Sequence, residues 1–177
     1  MADIEPYIDG HSHIWTPDLA HYPLAAGLTV ADMQPRSFTA EELLAICRPA
    51  GVGRVNLIQM SYYEFDNRYM LDMIKLYPDW FVGTAIVDPL ADDPGRAMRD
   101  LAKQGVHAFR IQPHYGKRPP ARWLEPAGYA AMFSTAAQTG QALSCLIDPD
   151  GFPEVDTNED RSAIARQIRE YLESADQ

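Results

Sequence analysis

Five short apolar runs recur along the chain, each followed by a segment with helical spacing, and this alternation limits the folds open to it. The runs lie around Ile4 to His13, then RVNLIQM, FVGTAIVD, VHAFRIQP and ALSCLIDP. Each has strand length. The intervening segments are SFTAEELLAICRPAG, FDNRYMLDMIKLYPDW, DDPGRAMRDLAKQG and EPAGYAAMFSTAAQTG. In the first, Ser37 or Thr39 can cap a helix, Glu41 and Glu42 favour its positive end, and Leu43, Leu44, Ile46 and Cys47 form the buried stripe before Gly51. In the second, Tyr69, Met70, Met73, Ile74 and Tyr77 recur at helical spacing. The tail over 154–177 reads as a last helix, with Ile164, Ile168 and Leu172 on one face. Strands separated by helices pair in parallel through right-handed crossovers. Nearly continuous apolar strands fit a sheet covered on both faces.

Two architectures satisfy that order: an open doubly wound sheet, or part of a (β/α)8 barrel. The first gains nothing from the glycines, because GVGR at Gly51 to Arg54 precedes a strand instead of following one. No G-x-S-x-G turn offers a serine nucleophile. Acidic residues number 25 against 15 Lys plus Arg, a formal charge of −10, which disfavours nucleic acid and anionic membranes as partners. The N-terminus MADIEPYIDG has no secretory signal layout, and no apolar run approaches the ~20 residues of a membrane span. Cys47 and Cys145 sit in apolar settings and read as buried free thiols, consistent with a reducing cytoplasm.

Within IDGHSHIW, Asp9, His11 and His13 are spaced two apart, so a strand carries them on one face at its C-terminal end. Ligands bind at that end in α/β sheets and barrels. Two imidazoles there can share a metal ion or donate to a substrate carboxylate.

The stretch YIDGHSHIWTPDLAHYPL resembles the first strand of the amidohydrolase superfamily, in its amidohydrolase-related branch. The segments GVGRVNLIQMSYYEFDNRYMLDMIKLYPDWFVGTAIVDP, QGVHAFRIQP and WLEPAGYAAMFSTAAQTGQALSCLIDP follow in the family's order. The spacing from HSHIW to YPL and the VNLIQMSYYEFDNRYML segment are most similar to its lactonase-like subgroup. This resemblance covers roughly residues 4–153 and implies an α/β fold: an incomplete (β/α)8 TIM-type barrel of about five βα units with parallel strands. It implies one domain over 1–177, truncated, with a divergent tail at 154–177. Strands six to eight, with the family's later histidine ligands and its last-strand aspartate, find no counterpart in the tail. An open inner face of this kind invites association with a second copy.

By the same resemblance, His11, His13 and Arg110 are the catalytic candidates, and His11 and His13 are the metal pair, for zinc or manganese in members that use a metal. Arg110 matches a position that binds a substrate carboxylate or carbonyl, a task suited to the guanidinium fork. Gln59 and Gln112 lie at strand ends, and Tyr62 and His114 in the loops beyond, where they would line the same mouth. Tyr63 shares that loop, Asp88 and Asp148 read as turn formers, and His21 and His107 look unremarkable. The implied activity is hydrolysis of a lactone or other cyclic ester, the implied substrate a small-molecule carboxylate or lactone. A non-catalytic truncated remnant or a module that binds a partner or small acid, and a metal-dependent decarboxylase, are the alternatives.

Overall fold

The computed structural model describes residues 6–118 and 122–147. The tail helix, Ile4 and Asp148 lie outside the described residues. The elements alternate as the sequence requires: β1 (Tyr7–Ser12), α1 (Ala40–Cys47), β2 (Val52–Ile58), α2 (Arg68–Leu76), β3 (Phe81–Ala85), α3 (Pro94–Ala102), β4 (Val106–Ile111), α4 (Ala127–Thr139) and β5 (Ala142–Cys145). The five strands are parallel and lie in one sheet in the order β1-β2-β3-β4-β5, the strand order of an incomplete (β/α)8 fold. No helix among the described residues is long and apolar enough to cross a membrane.

The chain divides into two compact units, the first running to Ile86 and including Leu101–Ala108, the second comprising Val87–Asp100 and the chain from Phe109. In the first, Val55, Leu57 and Ile58 of β2, Phe81 of β3, Leu43 and Leu44 of α1, and Met70 and Ile74 of α2 are buried. In the second, Met98, Phe109, Ile111, Trp123, Tyr129, Met132 and Phe133 form the interior.

Local chemistry sets the helix ends. Thr39, not Ser37, caps α1: its hydroxyl accepts from the Glu42 N–H at 3.3 Å while the Glu42 carboxylate accepts from the Thr39 N–H at 2.6 Å. The helix ends at Cys47, before Gly51, which takes a left-handed φ of 77° in the turn that follows. Asn67 starts α2 and also binds the end of β3. Its Nδ2 donates to the Phe65 and Ile86 carbonyls at 2.9 Å each, and its Oδ1 accepts from the Ile86 N–H at 3.1 Å.

Three expectations need correction. Ile46 is exposed, not part of the α1 stripe, because eight helical residues bury only the arc of Ala40, Leu43, Leu44 and Cys47. Cys145 is exposed although Cys47 is buried. It ends β5, the last strand in the sheet order, which among the described residues pairs on one side only. The strands are also not uniformly covered. Four of the five β3 residues are buried, whereas β1, the other edge, buries none of its six. Near-continuous burial therefore belongs to β3, since β2 buries three of its seven residues and β4 three of its six.

Candidate functional site

The first unit carries the histidine pair where β1 ends. Pairing with β2 advances from Asp9↔Val55 to Ser12↔Leu57, three residues against two, so β1 contains a bulge that takes in Gly10 and His11. The Asp9 carboxylate closes it, accepting from the His11 N–H at 2.9 Å and from the Ser12 hydroxyl at 2.5 Å. The Asp9 side chain thus turns back onto its own strand. Asn56, the polar residue within the apolar run of β2, ties the bulge to the sheet. Its Nδ2 donates to the Gly10 carbonyl at 3.2 Å, and its Oδ1 accepts from the Thr84 hydroxyl at 3.0 Å.

His11 and His13 converge, with Nε2 to Nε2 at 3.2 Å and ring planes at 78°. His13 Nδ1 lies 2.9 Å from the Ile58 carbonyl oxygen. A carbonyl only accepts, so Nδ1 carries the proton and the neutral ring presents the Nε2 lone pair toward His11. That arrangement allows two chemistries. His11 can donate from Nε2–H to His13, or both Nε2 atoms can point at one cation. The 3.2 Å separation is the edge that two imidazoles define around a shared ion at ~2.0–2.1 Å each. The pair fits two positions of a metal site, with the backbone carbonyl as its outer partner. Among the described residues, no group of three or more His, Cys, Asp or Glu is placed to hold a metal ion.

The loops that flank the pair are held by aromatic side chains. Tyr62 stacks edge-on to Trp15 at 5.7 Å, and its hydroxyl accepts from the Gln34 N–H at 3.3 Å. Tyr63 is buried, and its hydroxyl accepts from the Thr16 N–H at 3.0 Å. Gln59 is buried, and its Nε2 donates to the Glu64 and Asp66 carbonyls at 3.2 and 2.8 Å. Its amide nitrogen therefore shapes the β2–α2 loop. Nearby, the Arg68 guanidinium bonds the Asp66 carboxylate at 2.6 Å and holds it below the usual carboxylate range. His21 is exposed and pairs with Asp18 at 2.7 Å.

The second unit carries Arg110, Gln112 and His114. Arg110 lies on β4, half-buried; its Nε is buried and meets no hydrogen-bond acceptor among the described residues. Burial lowers its affinity for its proton. Arginine nonetheless stays charged. The Gln112 carbonyl accepts from the Tyr129 hydroxyl at 3.1 Å, and burial pushes that phenol up to about 12. His114 is exposed and stacks on Tyr115 at 4.2 Å. Asp88 accepts from the Leu90 N–H at 2.8 Å, as an aspartate at a turn does. The structure thus brings His11 and His13 together and gives Arg110 a donor that is unsatisfied among the described residues, while the side chains of Gln59 and Tyr62 make bonds that hold their loops. Sequence reasoning missed Asn56, whose signal was one amide inside an apolar strand.

A sequence profile of the amidohydrolase family matches residues 8–140. The chain belongs to the amidohydrolase family. Among solved structures it is similar to a probable 2-pyrone-4,6-dicarboxylic acid hydrolase of Acinetobacter baumannii with citric acid bound. That match has 19% identity and a TM-score of 0.62, covering 80% of this chain and 49% of the other. It is also similar to an amidohydrolase of Burkholderia multivorans with bound zinc, at 17% identity and a TM-score of 0.62, covering 91% of this chain and 54% of the other. A 5-carboxyvanillate decarboxylase of Novosphingobium aromaticivorans with bound manganese matches at 18% identity and a TM-score of 0.51, covering 80% and 53%. This amidohydrolase therefore spans about half the length of these relatives. At such identities the structural likeness establishes the fold, and the matched profile establishes the family.

Proposed function

We propose that this amidohydrolase hydrolyses a small cyclic ester, a lactone, that carries a free carboxylate. The observation that carries this reading is the buried Arg110 Nε with no acceptor among the described residues. An unsatisfied buried donor costs roughly 1–3 kcal/mol, and a ligand carboxylate would supply the acceptor and the counter-charge together. The A. baumannii relative named for a pyrone dicarboxylate supports the same substrate class.

His11 and His13 are assigned to the reacting carbonyl. The Ile58 carbonyl holds the proton on His13 Nδ1, so its Nε2 lone pair either accepts the His11 Nε2–H or serves as a metal ligand. The pair would hold a zinc or manganese ion, which when bound supplies Lewis-acid polarisation. Asn56 and Asp9 act at one remove, fixing the bulge that sets the approach of the two rings.

The test is hydrolysis by the full chain, with added Zn²⁺ or Mn²⁺ and without, over lactones with and without a ring carboxylate. Carboxylated lactones should be preferred by about 10²-fold, and Arg110→Lys should remove most of that preference by raising KM. Carbon dioxide release from an aromatic acid would replace this reading with the decarboxylase. Saturable carboxylate binding without turnover of any lactone would replace it with the binding module.

A further inference from the structure

The first unit contains a second concave site, at the opposite ends of the strands from the histidine pair. A cleft of about 650 Å³ opens beside α2, where β3 and β4 begin. That volume falls within the range of small-molecule sites. Its floor is apolar: Ile74 and Phe81 are buried, and Leu71, Pro78 and Val82 extend it. Its rim is basic, with Lys75 from α2, Lys103 from the turn after α3, and His107 from β4. The one acidic side chain in the lining, Asp72, accepts the Tyr22 hydroxyl at 2.7 Å. In a chain of net charge −10 with its histidines counted neutral, two lysines against one carboxylate around an apolar floor form a local reversal of sign, and His107 adds a third nitrogen donor.

We propose that this cleft binds a small organic anion with an apolar body, such as a medium-chain monocarboxylate. Both halves of the lining enter the argument. An apolar body gains by leaving water for the Ile74 and Phe81 surface, which inorganic phosphate cannot do. The carboxylate meets the ammonium groups at the rim, where a neutral chain of equal length gains nothing. The floor also depends on Gly105. With φ of 90°, it keeps the β4 entry close to α2, and a Cβ there would approach the Ile74 Cγ2 to 2.7 Å.

The experiment is an NMR titration of the full chain with sodium octanoate, following the backbone amides of Lys75, Val82, Lys103 and His107. Those amides should shift together and saturate with one Kd. The double variant K75E/K103E changes two exposed rim residues and should weaken binding by about tenfold or more. His107→Glu alone should weaken it in the same direction, and His11→Ala should leave it unchanged because that ring belongs to the other end of the strands. Octanol and inorganic phosphate should give no saturating shifts over the same range. Equal affinity in K75E/K103E, saturation by phosphate at the same amides, or no saturation by octanoate would each overturn the proposal.

Discussion

At the scale of single residues, the proton on His13 is assigned by its partner. The Ile58 carbonyl at 2.9 Å has no proton to give, so neutral His13 is the Nδ1–H tautomer and its Nε2 is unprotonated. Nitrogen-15 NMR of the imidazoles at neutral pH should show that pattern for His13; an Nε2–H signal would remove His13 from any ligand role. Tyr22 provides a second test. Its hydrogen bond to Asp72, and secondarily its burial, raise the phenol to about 12, above the ordinary value of about 10. A group whose folded value is raised contributes stability that is fully present below its unfolded value. That contribution is lost between roughly pH 10 and pH 12 as the phenol ionises. Unfolding measured across that range should show a falling stability in wild type and a shallower fall in Tyr22→Phe. Identical slopes would show that the 2.7 Å contact does not persist in solution.

At the scale of elements, the strand-helix order was legible because burial forces period into sequence. RVNLIQM and FVGTAIVD are apolar because β2 and β3 lie inside the sheet. His11 and His13 were legible for a similar reason, since two-residue spacing on a strand has a geometric meaning. The bulge was not legible. It depends on a register difference with β2 and on the Asp9 carboxylate folding back, and neither leaves a period in the sequence. Cys145 was misjudged because an apolar run does not say which strand is an edge. Asn67 was invisible as well, because its partners on Ile86 lie nineteen residues away. Yet it joins the start of α2 to the end of β3 through two hydrogen bonds in a buried setting. Asn67→Ala would leave the N–H and C=O of fully buried Ile86 unsatisfied, so it should cost about 2–4 kcal/mol in urea unfolding. A loss below about 1 kcal/mol would mean that water replaces the amide.

At the scale of the whole molecule, charge sets the pH window of stability. With 25 acidic residues against 15 basic, the chain repels itself at neutral pH, and the repulsion fades as the pH falls toward its isoelectric point near 4.8. A second effect acts in the opposite direction. Asp66, bonded to Arg68, is held below the ordinary carboxylate value, as are Asp18 beside His21, Asp32 beside Thr29, and Glu41, mainly through a backbone hydrogen bond. Lowered folded values contribute stability above the unfolded value of roughly 4, and that stability is lost as the pH falls through the folded values. These groups are largely solvent-facing, so each contribution is small and screened by salt. Together the two effects place the highest melting temperature at about pH 5–6, with a decline toward pH 3 that added salt reduces only in part. The descending limb should be shallower in Asp66→Asn, which has no carboxylate to protonate. A melting temperature that rises steadily from pH 7 to pH 3 would show that self-repulsion alone governs this fold and that the paired carboxylates contribute nothing to it.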